Sequence, residues 1–336
     1  MSTKPIAIPH CTPGLWPIEI LPARFASHVH QALITGCRVA LLGLADDLGV
    51  RLNAGRPGAS QGPNAFRAAL AGYGVSTPAG FTYPKVFDAG DIIPAPGDSP
   101  QALHQTHARI REAVHAILDL GLFPIAIGGG HDLTFAFAGA VFEWTRANAN
   151  SAFIDQEDDV DDGIDTAHAH TFGCVYADAH LDVREAVGSG MPFRRLIEQH
   201  GVAPLLVEGL DQFANAREFI DWFEDHSGHI AEPDEDAHER YEEVFADTQH
   251  IIASFDLDVI DMAAAPGVSA MNPMGMSTHD AERHVARWGA DPRVACFDLM
   301  ELSPKHDETG RTARLAARLF LTFLSNWSSR PTSFQS

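Results

Sequence analysis

Short apolar runs alternating with longer amphipathic segments constrain this chain more than any other feature. The runs at 38–44, 123–127, 173–177, 204–208, 251–256 and 294–299 are brief and largely apolar, as strands covered on both faces are. Between them, 101–120, 133–145, 214–223, 278–288 and 309–324 carry helical periodicity. Such alternation builds βαβ units and a parallel sheet with helices on both faces, an α/β fold. Ser277 or Thr278, followed by Asp280 and Glu282, suits a helix start, where side-chain oxygens and negative charge meet exposed amides.

Two stretches break the rhythm: 156–170, with His168 and His170, and 232–247. Acids dominate both and neither has the apolar period of a core element, so both are expected as surface insertions, the two histidines lying in solvent. With no repeat and no linker long enough to divide the chain, residues 1–336 are expected to form a single domain.

Composition removes several classes of function. With 45 acidic and 23 basic residues the net charge is -22, a field that repels phosphate backbones and attracts cations, so no nucleic-acid partner is expected. Cys11, Cys37, Cys174 and Cys296 are widely spaced without a CxxC pair, which gives no disulfide framework, and Cys174 and Cys296, in apolar strand-like runs, are expected as buried thiols in a reducing compartment. The proline-broken N-terminus lacks the apolar core of a secretory signal. No apolar run reaches the roughly 18 residues of a membrane span, so the expected location is the cytoplasm.

Three segments carry chemistry, each at the C-terminal end of an expected strand, where open parallel sheets place their ligands. The first, IAIGGGHD at 125–132, runs into three glycines and then His131. A phosphate-binding loop is the rival reading, but neither GxGxxG nor GxxxxGK[ST] is present. The second, VYADAHLDVR at 175–184, sets Asp178, His180 and Asp182 at alternate positions, on one side of an extended chain. In the third, ASFDLDVID at 253–261, Asp256 and Asp258 repeat the pattern. Each acidic segment alone could be an exposed loop. Brought together, four carboxylates and two imidazoles would repel strongly unless cations lay among them. Four negative charges match two divalent cations, and mixed oxygen and imidazole donors suit manganese. Such a pair activates water as hydroxide against an electrophilic carbon, so the expected chemistry is metal-assisted hydrolysis.

In content, order and spacing, GGGHD (128–132), DAHLD (178–182) and SFDLDVID (254–261) resemble the metal motifs of the ureohydrolase superfamily, which includes arginase, agmatinase and formimidoylglutamase. The resemblance implies a three-layer α/β/α sandwich with a mostly parallel sheet of about eight strands, two Mn2+ per subunit and a homo-oligomer. Carried over by position, it implies that His131 holds one ion and His180 the other, that Asp178 and Asp256 bridge them, and that Asp182 and Asp258 complete the two shells. Asp182 would also hydrogen-bond the activated water.

Within the superfamily, GVRLNAGRPGASQGPNAFRAAL (49–70), SGMPFR (189–194), APGVSA (265–270) and ELSPKHDETGRTARLAARL (301–319) are more similar to formimidoylglutamase than to arginase. Arg184 and Phe193 stand where arginase has an asparagine and a histidine. The implied reaction is hydrolysis of N-formimidoyl-L-glutamate to L-glutamate and formamide, in histidine degradation. Glu301 would pair with the amidinium, and Arg184 would take a substrate carboxylate or orient a metal-binding aspartate. Asn53 and Arg56 are candidates for the substrate rim or for a loop-structuring role. Met191 stands where threonine is expected, and MNPMGM (271–276) lies near the rim; both leave guanidino compounds, such as agmatine, guanidinobutyrate or guanidine, as alternatives. A catalytically silent subunit is a third reading.

Overall fold

Strands form where the apolar runs are. A computed structural model of the chain describes residues 6–74, 83–154, 171–232 and 236–330. In chain order the elements are β1 (Cys11–Thr12), β2 (Val29–His30), β3 (Cys37–Leu44), α1 (Leu48–Leu52), α2 (Gly62–Leu70), β4 (Lys85–Ile92), α3 (Pro100–Asp119), β5 (Phe123–Gly128), α4 (Leu133–Ile154) and β6 (Phe172–Ala177). There follow α5 (Pro192–His200), β7 (Leu205–Glu208), α6 (Arg217–Asp225), β8 (Gly228–Ile230), α7 (Ala237–Val244), β9 (His250–Asp256), α8 (Thr278–Ala290), β10 (Val294–Met300) and α9 (Arg311–Trp327). All six expected strands and all five expected helices are present. Ser277 caps α8 by accepting from the Asp280 amide.

The sheet runs β1-β4-β3-β5-β10-β9-β6-β7-β8, with β2 beside β4. From β4 to β8 it is an eight-stranded parallel core, and β1 is its antiparallel margin. Two apolar clusters lie on opposite faces, one packing side chains of α3, α4 and α5, the other side chains of α2, α8 and α9. This is the α/β/α sandwich. The order matters for chemistry, because β5, β10, β9 and β6 are consecutive neighbours and their C-terminal ends open on one crevice. Among the described residues no helix is long and apolar enough to cross a membrane.

Residues 156–170 and 233–235 lie outside the described residues; 236–247 is mostly exposed, as expected of an exposed helix face, but it also carries a core element that the sequence did not suggest. Asp236 accepts from the amides of His238 and Glu239 and starts α7, and Tyr241 and Phe245 are fully buried one turn apart. The Tyr241 hydroxyl donates to Asp291 at 2.9 Å. Two aromatics at i and i+4 anchor a helix whose remaining face is acidic.

Strand β4 was hidden in the sequence by its own acids, Asp88 and Asp91. Their charges are answered by Arg67, 1% exposed, which donates to Asp88 through Nε (3.0 Å) and Nη2 (2.8 Å) and to Asp91 through Nη1 (2.6 Å). Trp16 donates to the same Asp88 at 2.6 Å and ties the N-terminal segment to the sheet. Lysine keeps the charge but cannot supply the planar fork. Arg67→Lys is therefore expected to lower unfolding free energy by about 2–3 kcal/mol, the worth of one or two charge-assisted hydrogen bonds; an unchanged denaturation midpoint would show the network to be dispensable.

Candidate metal centre

Each motif residue enters the crevice from a strand end. β5 passes through Gly128, Gly129 and Gly130 before His131, and the turn has no room for a side chain at its middle. A Cβ on Gly129 would lie 2.1 Å from the Asp46 carbonyl oxygen and 2.5 Å from that of Leu44. β6 delivers Asp178, His180 and Asp182; β9 delivers Asp256 and Asp258; β10 delivers Glu301. Asp182 and Glu301 both adopt the left-handed backbone region, with φ of 49° and 63°. Non-glycine residues rarely do so, and such strain concentrates where side-chain aim matters.

The six expected ligands come together. His131 Nδ1 lies 3.0 Å from Asp178 Oδ2, 3.0 Å from Asp182 Oδ2 and 3.1 Å from Asp256 Oδ2. His180 Nδ1 lies 3.3 Å from Asp178 Oδ1 and 3.2 Å from Asp258 Oδ2. Two donor groups result, His131 with Asp178, Asp182 and Asp256, and His180 with Asp178 and Asp258; within each, the ligand atoms lie within 4.8 Å of one another. Asp178 belongs to both. Yet His131 Nδ1, Asp178 Oδ2 and Asp258 Oδ1 are buried with no properly formed hydrogen bond. Atoms that converge without pairing are arranged as ligands around a point, so the donor set fits two divalent cations.

Electrostatics agree. Burial, reinforced by the Asp258 charge, pushes the Asp256 carboxyl up to about 6. Asp258 also rises to about 6, through burial and Asp178, against the pull of His180. Burial, with Asp182 and Asp256, raises Asp178 too. For His131, burial opposes the charged form, but Asp178, Asp182 and Asp256 outweigh it and hold the imidazole well above its ordinary value. His180 is likewise raised, by Asp258 and Asp178 against burial. Without a cation, the cluster thus holds protons more tightly than its groups would in water, and a cation must displace them. Binding of Mn2+ at pH 7 is expected to release protons and to weaken as pH falls, by about tenfold per pH unit per proton released. Titration calorimetry in buffers of different ionisation enthalpy reads this directly; identical heats in every buffer would contradict it.

The His131 ring is held from behind by residues the sequence reading missed. Ser254 Oγ donates to Asp298 Oδ1 at 2.6 Å and lies 3.0 Å from His131 Nε2. With its proton given to Asp298, the hydroxyl accepts from Nε2–H and leaves Nδ1 facing the carboxylates. The only sequence signal was a polar residue inside each of two apolar strands. Phe193 packs edge-on to His131 with ring centroids 5.2 Å apart and stacks on Tyr176.

Glu301 is buried beside this centre. Its Oε1 accepts from the His131 amide at 3.1 Å, while Oε2 is unpartnered. Burial and the Asp256 charge raise its carboxyl well above the ordinary range, so it favours a cationic neighbour. Arg184 is exposed, and its stem lies against Gly190, where a Cβ would come within 2.9 Å of Arg184 Cδ. Its guanidinium has no hydrogen bond or ion pair among the described residues. Asn53 and Arg56 bind neighbouring backbone. With its oxygen turned to the loop, the Asn53 amide accepts from Gly190 N (2.9 Å) and Ser189 N (3.2 Å). Arg56 donates to the Val268 carbonyl at 2.6 Å and the Ser269 carbonyl at 2.9 Å. Ser269 interacts in turn with Glu301.

Comparison with known proteins gives the family. The curated formimidoylglutamase of Geobacillus thermodenitrificans is 32% identical over 288 residues, covering 83% of this chain and 81% of that protein. The Aeromonas salmonicida formimidoylglutamase is 33% identical over 303 residues, 84% of each. The crystal structure of Trypanosoma cruzi formiminoglutamase with Mn2+ superposes with a TM-score of 0.72 at 26% identity, covering 88% of this chain and 95% of that one. Residues 37–325 match the Arginase family, a span that holds all six converging side chains and every strand from β3 to β10, and the chain belongs to that family.

Proposed function

We propose that this chain hydrolyses N-formimidoyl-L-glutamate to L-glutamate and formamide with two Mn2+, held by His131, Asp178, Asp182 and Asp256 on one side and by His180, Asp178 and Asp258 on the other. The observation that carries the reading is the convergence of those six side chains, with Glu301 beside them, at the ends of four adjacent strands. Likeness to the curated formimidoylglutamases supports the substrate, and the Mn2+ in the Trypanosoma cruzi structure supports the metal. Superfamily resemblance supports a homo-oligomer. Four unpaired cysteines suit a reducing compartment such as the cytoplasm.

When bound by these residues, a cation pair would supply Lewis acidity and lower the pKa of a water facing the amidine carbon. The chain's residues do the rest. Glu301 pairs its free Oε2 with the amidinium and fixes the carbon over the centre. Asp182, 12% exposed at the crevice surface, takes the water's proton and delivers it to the glutamate nitrogen as the C–N bond breaks. Asn53 shapes the loop under the Arg184 stem, so that the free guanidinium can take a substrate carboxylate in a bidentate pair. Arg56 steadies the loop beside Glu301.

Losing the Arg184 pair removes a charge-assisted contact worth about 1.5–3 kcal/mol. Arg184→Ala is expected to raise KM for formimidoylglutamate by about 10- to 100-fold with metal content unchanged; unaltered kinetics would remove the arginine from the site. The function itself is tested by supplying the Mn2+-loaded protein with formimidoylglutamate, agmatine, guanidinobutyrate and guanidine while measuring formamide, urea and ammonia separately. Formamide from the first substrate supports the proposal, whereas urea from a guanidino compound alone overturns it.

A further inference from the structure

The two histidines of the centre are supported differently. His131 has Ser254 on its second nitrogen. His180 is 26% exposed, and among the described residues no protein atom hydrogen-bonds its Nε2. A ligating imidazole normally has its other nitrogen held, which fixes the ring. For His180, the control must come from the backbone.

That backbone is gripped by Asn215, in the loop between β7 and α6. Its Oδ1 accepts from the Leu181 amide at 2.9 Å, and its Nδ2 donates to the Ala179 carbonyl at 2.9 Å. These two groups flank His180. Nδ2 also donates to the Asp211 carbonyl at 2.8 Å, and the Asp211 amide donates to Ala179 at 3.0 Å, so the loop and the DAHLD turn are stitched together. A carboxamide offers a donor and an acceptor side by side without carrying charge. The turn needs holding, because Asp182, one residue beyond Leu181, has a left-handed backbone.

We propose that Asn215 is a positioning residue that fixes His180, and so sets the affinity of the His180-side metal position without touching substrate. The proposal rests on the two-cation reading of the centre. It predicts an asymmetry: Asp178 and Asp182 from the same turn also serve the His131 position, but that position has Asp256 and the support of Ser254 and Asp298 besides, so the ion at the His180 position depends more strongly on Asn215.

The test uses the full-length protein, stripped with chelator and titrated with Mn2+ alone. Dialysis counts bound ions, and electron paramagnetic resonance distinguishes an exchange-coupled pair from a single ion. Wild type is expected to take up two ions and show the coupled signal. Asn215→Leu is expected to bind one ion close to wild-type affinity and the second about 10- to 100-fold more weakly. Asn215→Asp keeps the acceptor for Leu181 but loses the donor to Ala179, and should fall between; it also serves as the reading if the leucine variant does not fold. A variant that binds both ions as wild type does, or that weakens both equally, overturns the proposal. A wild-type protein that takes up no ion pair overturns the metal reading itself, which separates the two failures.

Discussion

Asp256→Ala is expected to lose at least one of the two bound cations and to lower kcat by at least about 10³-fold, the upper end of what deleting one electrostatic contact costs at an active site. Asp256 is 2% exposed, its Oδ2 faces His131 and its Oδ1 caps the Asp258 amide at 2.8 Å. A second outcome separates function from folding. Its carboxyl is raised to about 6 in the folded protein, so ionisation costs the fold stability as pH rises through that value. Removing that charge offsets the loss of the cap on the Asp258 amide, so at pH 7 the metal-free variant should unfold close to metal-free wild type. Loss of turnover with preserved apo stability is the signature of a ligand; full activity in the variant would refute the centre.

Glu301→Gln carries the second large effect. Glutamine keeps the oxygen that accepts from the His131 amide, so the turn and the metal positions should persist. What disappears is the charge that Oε2 would present to an amidinium. We expect kcat/KM for formimidoylglutamate to fall about 10²- to 10³-fold with two ions still bound, since a buried charge contact in a dry site is worth about 3–4 kcal/mol. Equal efficiency in wild type and variant would take Glu301 out of the reaction.

The legible parts of this protein share a physical cause. Parallel strands buried on both faces must be apolar, so β5, β6, β9 and β10 stood out, and acids just past an apolar run have little reason to be there unless a ligand meets them. His131, Asp178, His180, Asp182, Asp256 and Asp258 were read on that ground. The rest depended on partners distant in sequence. β4 carries Asp88 and Asp91, which look like loop residues until Arg67 is placed against them. Helix α7 hides Tyr241 and Phe245 among acids. Ser254 and Asp298 act through a contact between neighbouring strands separated by 44 positions in the chain. For Arg56 and Asn53 the sequence offers a rim or a loop-structuring role, and their hydrogen bonds to the backbone of residues 268–269 and 189–190 fit the second, with partners that no local pattern could reveal. Asn215 left no sequence signal at all, because a carboxamide that reads backbone resembles any polar loop residue.

Anomalous diffraction from Mn2+-soaked crystals at the manganese edge tests the central claim most directly. Two peaks per chain are expected, one among His131, Asp178, Asp182 and Asp256, the other among Asp178, His180 and Asp258. An active protein showing no peak among these side chains, or peaks only elsewhere on its acidic surface, would contradict it.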